Sequence, residues 1–338
     1  MMLFSSAPVR LLFVALLATT MAIAGPLRAQ EETPESILNA VVSVKTEVPG
    51  NARTAEFLGT EREGSGVVID DKGLVLTIGY LILEAMSATV SDGKGRSVPA
   101  EIVAYDYDTG FGLLRAIEPL GIKPIRLGSS DAVAESDPVL AVGYDDGLVV
   151  VPSYVTSRTQ FAGYWEYLLD SAIYVAPPHP QWAGAALIDH SGKLVGIGSL
   201  LVANAAPNRP TTGDLPGSMF VPVDLLKPIM SDLLTEGRSS ASARPWLGMF
   251  TRDTRDGVTI LNVVPEGPAA QAGLAAGDVV LRVGDEDVHD MAQMFRSIWA
   301  RGAAGIDVPL TIRRAEEDRE VSVHSRDRYT YLRLDPTY

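Results

Sequence analysis

Cysteine is absent from this chain, and histidine occurs only four times, at positions 179, 190, 289 and 324. The first absence excludes disulfide scaffolds, thiolate nucleophiles and cysteine-ligated zinc. The second leaves few imidazoles for acid–base chemistry and no closely spaced pair for a metal. Basic residues are scarce too: 28 Lys plus Arg stand against 42 Asp plus Glu, a net charge of −14. A surface of that sign repels phosphate backbones, so nucleic acid is not an expected partner. No stretch approaches the ~18 uninterrupted apolar residues of a membrane-spanning helix.

What is present is ordinary globular composition, 46% hydrophobic and 21% charged, with 31 Gly and 22 Pro that favour tight turns. A length of 338 residues suggests two or three domains. Residues 11–24 (LLFVALLATTMAIA) form a short apolar run between Arg10 and Gly25-Pro26. It has the proportions of a secretory signal, with Ala22, Ala24 or Ala29 as cleavage positions. The expectation is a signal peptide over 1–29 and an exported chain, periplasmic in a bacterium, or membrane-anchored if the segment is retained.

From about Ile37 to Met219 the chain reads as short β-rich runs punctuated by Gly, Asp, Ser and Pro: Val41–Thr46, Gly66–Ile69, Leu74–Thr77, Ser97–Ala104, Leu113–Ile117, Val139–Val142, Leu148–Thr156, Ala185–Ile188 and Leu194–Leu201. Without intervening amphipathic helices, this argues for a mostly β, barrel or sandwich architecture. Residues 223–234 then switch to helical period, with Leu225, Leu226, Ile229, Leu233 and Leu234 on one face and Pro228 implying a kink or a late start. The small polar stretch 236–244 reads as a linker. Beyond it, residues 245–326 form a second unit with strands at Val258–Val264 and Asp278–Val283, a helix over Met291–Ala300, and a closing hairpin of Val308–Arg313 with Glu320–His324. The tail 327–338 has no evident place.

The segments Gly64–Ile69 (GSGVVI), Gly73–Thr77 (GLVLT), Leu127–Gly147, Gly192–Gly198 (GKLVGIG) and Gly217–Pro222 (GSMFVP), in that order, resemble the HtrA-type serine proteases. Trp246-Leu247-Gly248-Met249 and Val264–Asp278 (VPEGPAAQAGLAAGD) resemble that family's PDZ domain. The resemblance spans roughly 37–325. It implies a trypsin-like double β-barrel over 30–235 followed by one PDZ domain over 245–326, and trimers in many relatives.

The resemblance also implies a His, Asp, Ser catalytic order, with the histidine in the first barrel. No histidine precedes residue 179. Tyr80 stands where the family's base belongs, in Thr77-Ile78-Gly79-Tyr80-Leu81. Gly110 stands at the orienting acid and Ala183 at the nucleophile. A tyrosine of pKa ~10 is a poor base at neutral pH. The family's oxyanion donors are the N–H groups of the nucleophile and of a glycine two residues earlier, which here is Gln181. That loop is expected to be strained or relaxed, with relaxation favoured. Asp106 and Asp108 lie near Gly110 with no imidazole to orient. His179 is expected to be a polar surface residue of a Pro-rich loop. Ser171, Ser191, Lys193, Asp145-Asp146-Gly147 and Asp285-Glu286-Asp287 read as loop and turn residues rather than as catalytic or calcium-binding groups. No cofactor and no metal site are expected.

In the PDZ unit the resemblance makes Trp246, Leu247, Gly248, Met249 and Phe250 the turn and strand that receive a peptide's terminal carboxylate and pair with its backbone. Met294 and Ile298, with Phe295 as either pocket or core, would line the apolar pocket. The expected function is that of an inactive protease homologue that binds peptides or C-termini of envelope proteins. It would act as scaffold, adaptor or regulator in protein quality control, as a homo-oligomer or with active relatives. An endopeptidase using other residues, and an assembly component with one fixed partner, remain as alternatives.

Overall fold

A computed structural model describes residues 33–144, 146–209 and 214–332. The expected signal segment 1–29, Asp145 and the end of the tail lie outside them. After α1 (Pro34–Leu38), capped by the Thr33 hydroxyl, come β1 (Val41–Glu47), α2 (Ala55–Leu58), β2 (Glu61–Val68), β3 (Leu74–Ile78), β4 (Ser87–Ser91), β5 (Ser97–Tyr105) and β6 (Phe111–Ala116). These six strands close an antiparallel barrel in the order β1-β2-β3-β6-β5-β4. A second closed barrel has the order β10-β11-β12-β9-β8-β7. It is built from β7 (Pro138–Tyr144), β8 (Leu148–Gly163), β9 (Tyr167–Ala176), β10 (Ala186–Ile188), β11 (Leu194–Val202) and β12 (Gly217–Pro222). Val, Leu, Ile and Ala side chains fill the barrels, and several strands (β3, β10, β12) are buried along their whole length; closure leaves no free edge.

Several of these strands depart from the sequence reading: β4 and β12 were not assigned, and the largest departure is at β8 and β9. β8 runs seven residues past Thr156, and β9, which the reading left unassigned, pairs with it out to Gly163↔Tyr167. The extra length carries a hairpin, with turn Tyr164–Glu166, beyond the barrel wall. The helix expected over 223–234 is also corrected. Val223–Leu225 is a single 3-10 turn, and α3 (Met230–Glu236) starts after Pro228, whose ring cannot be accommodated in a helix interior. Leu226 and Leu233 are buried, whereas Leu225 and Leu234 face solvent, so the five do not share one covered face.

The third sheet contains β13 (Met249–Thr254), β14 (Gly257–Val263), β15 (Val279–Val283), β16 (Glu286–Asp287), β17 (Asp307–Arg314) and β18 (Glu317–His324). It packs with α4 (Pro268–Gln271) and α5 (Met291–Trp299). Asp290 caps α5 by accepting the Gln293 N–H, and Met294, Phe295 and Ile298 on its inner stripe are fully buried. Phe295 stacks on Trp299 at 5.7 Å, which makes it core.

The linker and tail are both anchored. Arg244 lies over the Trp299 ring at 4.3 Å and pairs with Asp108 of the first barrel at 3.3 Å. After β18, Trp246 and Arg326 pair their backbones, and the chain folds back over the first barrel. The Tyr329 hydroxyl donates to Tyr105 O at 2.7 Å, and Arg328 donates to Trp165 O at 3.0 Å while covering the Tyr107 ring at 4.4 Å. The tail is thus a clasp between the third sheet and both barrels.

Candidate functional site

The cleft between the barrels is filled rather than open. Tyr80 follows β3 in a short 3-10 turn, and its hydroxyl crosses to donate to Ser199 O on β11 at 2.7 Å. Burial raises the Tyr80 phenol above its ordinary range, with a hydrogen bond from Trp182 acting the other way. A phenol so placed holds its proton at any physiological pH.

Gly110 adopts φ +80°, and its N–H closes a tight turn onto Asp106 O at 2.8 Å. Asp106 is itself buried and accepts from the Thr109 N–H and hydroxyl. The Tyr167 hydroxyl donates to Thr109 O and lies 3.1 Å from where a Cβ on Gly110 would stand. Asp108 turns to Arg244; burial raises its carboxyl and the guanidinium opposes the shift.

Ala183 is nearly covered, and its carbonyl accepts from Ser65 N–H at 2.8 Å. The expectation for His179 is corrected here. Its side chain is not on the surface but fully buried. Nε2 lies 3.1 Å from Val149 O, and Nδ1 lies 2.8 Å from Gln181 O and 3.0 Å from Gln181 N, so backbone groups hold the ring at both nitrogens. Gln181 has no left-handed backbone. The loop is therefore relaxed, and the N–H that the resemblance assigned to an oxyanion points at an imidazole instead. His179 ties a loop, with both ring nitrogens on backbone groups. Ser171 is held by Arg158 and Ser191 by Asp189, as ordinary surface contacts. Among the described residues, no group of three or more His, Asp or Glu converges as a metal site.

The PDZ turn is intact and occupied. Gly248 takes φ +77°, a conformation glycine adopts without strain, and the N–H groups of Leu247, Gly248 and Met249 converge. All three donate to one carboxylate, that of Glu166 in the β8–β9 hairpin. Leu247 N–H reaches Oε2 at 3.0 Å; Gly248 and Met249 N–H reach Oε1 at 2.6 and 2.9 Å. Thr251 N–H of β13 donates to Tyr164 O at 2.9 Å, and Tyr164 packs against Phe250 at 5.9 Å. Leu168 inserts into the apolar cluster of Leu247, Met249, Met294 and Ile298. Trp246 stays buried behind the turn, under Tyr331. Thus Met294 and Ile298, expected to line an open pocket, are sealed. Burial raises the Glu166 carboxyl, and its backbone donors and Arg328 pull it back.

The sequence reading missed Glu166, Leu168 and the hairpin that carries them. The one signal was the β-rich run 167–176 behind an aromatic cluster, Phe161, Tyr164, Trp165 and Tyr167. Nothing in spacing ties that run to a turn 81 residues later.

Two six-stranded barrels followed by a third sheet packed with two helices define a trypsin-like peptidase fold followed by a PDZ domain. The family comparisons agree: residues 64–197 match the trypsin-like peptidase domain and 245–324 the PDZ domain. The chain is similar to the serine protease PepD of Mycobacterium tuberculosis, 28% identical over 306 residues, covering 85% of this chain and 63% of that protein. It is similar to the periplasmic serine endoprotease DegP of Escherichia coli K12, 25% identical over 273 residues, covering 77% of this chain and 56% of that protein. Among solved structures, the HtrA-type protease AlgW with a decapeptide superposes with TM-score 0.52 at 20% identity, covering 88% of this chain and 97% of that one. The serine endoprotease from Yersinia pestis does so with TM-score 0.52 at 23% identity, covering 88% and 98%. These two likenesses establish the fold. The chain carries a trypsin-like peptidase domain followed by a PDZ domain, an arrangement similar to that of HtrA-type proteases. It spans under two thirds of the length of these two curated relatives.

Proposed function

We propose that this chain is an exported HtrA-type protein that has given up proteolysis and acts through its PDZ domain. It would capture peptides or C-termini of envelope proteins as a scaffold, adaptor or regulator in protein quality control. The observation that carries the first half is the state of the cleft. Ala183 has no nucleophilic atom, Tyr80 is a partly buried phenol engaged with Ser199, and the Gln181 N–H is engaged with His179. Covalent serine catalysis needs nucleophile, base and oxyanion donors together, and losing them as a unit leaves no acyl-enzyme route. The homologues' periplasmic address and the apolar N-terminal run support export; among the described residues no helix is long and apolar enough to cross a membrane.

The direct test is hydrolysis of unfolded casein by purified residues 30–338, alongside a relative of known activity and a serine-directed phosphonate label. No cleavage and no label are expected. Cleavage that copurifies with the chain and survives Ala183→Gly would overturn the reading. A second reading, in which the PDZ domain is only an internal brace for one fixed assembly, is favoured by the Glu166 contact and is separated from capture below.

A further inference from the structure

Resting on the reading that this PDZ domain binds chain termini, we propose that the β8–β9 hairpin is its tethered ligand. Glu166 stands in for a terminal carboxylate and Leu168 for a terminal aliphatic side chain, and an outside chain ending in a leucine-sized residue binds by displacing them.

Four observations converge. Three backbone N–H groups of one turn meet a single carboxylate at 2.6–3.0 Å, which is how a chain terminus would be held. The Thr251 N–H of β13 donates to Tyr164 O, a backbone bond of the kind a peptide laid beside that strand would make. From Tyr164 to Glu166 the chain runs toward the turn, the polarity of a peptide ending there. Leu168 fills the apolar floor between β13 and α5. Finally, Glu166 holds φ +60°, a strained value for a residue with a Cβ, in a turn where Gly or Asn would sit more easily. The buried carboxylate returns to water when the hairpin leaves. Among the ties that hold the hairpin from outside the turn, the most exposed is Arg296 of α5 to Asp170 at 2.6 Å, with Asp170 85% exposed; Arg328 to Trp165 O and Tyr167 to Thr109 O are the inner ones.

A tethered competitor acts at an effective concentration of roughly millimolar order, so it depresses the affinity of any outside peptide by the fraction of closed domains. The probe is a fluorescein-labelled octapeptide ending in Val-Tyr-Leu with a free carboxylate, and its C-terminally amidated twin. Anisotropy titrations use residues 30–338, the Glu166→Gln variant and the Asp170→Ala variant. Gln keeps the side chain's size but turns an NH2 toward the Leu247 N–H. Asp170→Ala loosens the hairpin from the surface without touching the turn, which guards against a folding defect in the first variant. Hydrogen exchange reads protection of the Leu247–Met249 amides.

The expected result is about tenfold or greater tightening for Glu166→Gln and a smaller gain for Asp170→Ala, with amide protection lost and the amidated peptide ignored. Equal, tight binding by parent and variants would overturn the gate while leaving PDZ capture standing. Unchanged amide protection in Glu166→Gln would overturn it as well. Lost protection without binding of the free-acid peptide would retire capture and make the hairpin a permanent brace.

Discussion

The hydroxyl of Tyr80 lies 2.7 Å from the carbonyl oxygen of Ser199, so one side chain of the first barrel closes a bond to the second across the cleft. This side chain fastens the interface between the barrels. Tyr80→Phe removes the donor, strands a buried carbonyl and is expected to cost about 1–2 kcal/mol. Denaturant unfolding of the two proteins measures it; a difference within error would mean that the bond contributes nothing net.

Restoring the three family residues, with Tyr80→His, Gly110→Asp and Ala183→Ser, is expected to give no casein hydrolysis. At φ +80° an aspartate at position 110 costs about 1–2 kcal/mol in backbone strain alone, and its Cβ meets the Tyr167 hydroxyl. The Gln181 N–H also stays on His179. Turnover by the triple variant would show that the loop rearranges with ease.

Arg328→Ala removes the bond to Trp165 O and the cation over Tyr107. An exposed pair of this kind is worth roughly 1 kcal/mol, a partly desolvated one up to about 2. The expected outcome is faster limited proteolysis within 236–244, with barrel stability by circular dichroism unchanged. Identical cleavage rates would mean that the clasp does not restrain the linker.

Asp224 supplies the acid dependence. Burial acts to raise its carboxyl, but hydrogen bonds from Lys227, the Asp131 N–H and the hydroxyls of Ser129 and Ser130 outweigh it and bring the group down to about 2. A carboxyl depressed in the folded state stabilises fully above its unfolded value near 3.9, and that contribution is lost as pH falls from there toward about 2. Asp224→Asn is expected to flatten this part of the stability-versus-pH curve. Parallel curves would assign the acid loss elsewhere.

Much of the double barrel was legible because its strands are short, β-branched and set off by Gly, Asp and Pro, as in Val41–Glu47 and Leu194–Val202. The filled cleft was partly legible too, since Tyr80, Gly110 and Ala183 can be counted off from the motifs. His179 was misjudged because a Pro-rich loop reads as solvent-facing, while its burial depends on Val149, a residue of another strand. The Glu166 contact was not legible at all. A single carboxylate in a turn carries no periodic signal, and its partners are backbone amides, which look alike in every sequence. The late start that Pro228 implied is what α3 shows; Leu225 and Leu234 misled because a single helical face was drawn across that break.

The clasp of Arg328, Tyr329 and Tyr331 has a consequence for the order in which the molecule assembles. Tyr329 meets Tyr105 across 224 residues of chain, one of the longest closures in the fold. Closing so long a loop gains nothing until both ends are already shaped, so the contact belongs to the final stage of folding. The barrels can condense first from local hairpins, and the PDZ sheet forms from its own neighbours. Only then can the clasp fasten. A newly folding chain therefore passes through an interval in which its PDZ turn is formed but not yet clasped, and in that interval other chain ends compete with Glu166 on the most favourable terms they will have.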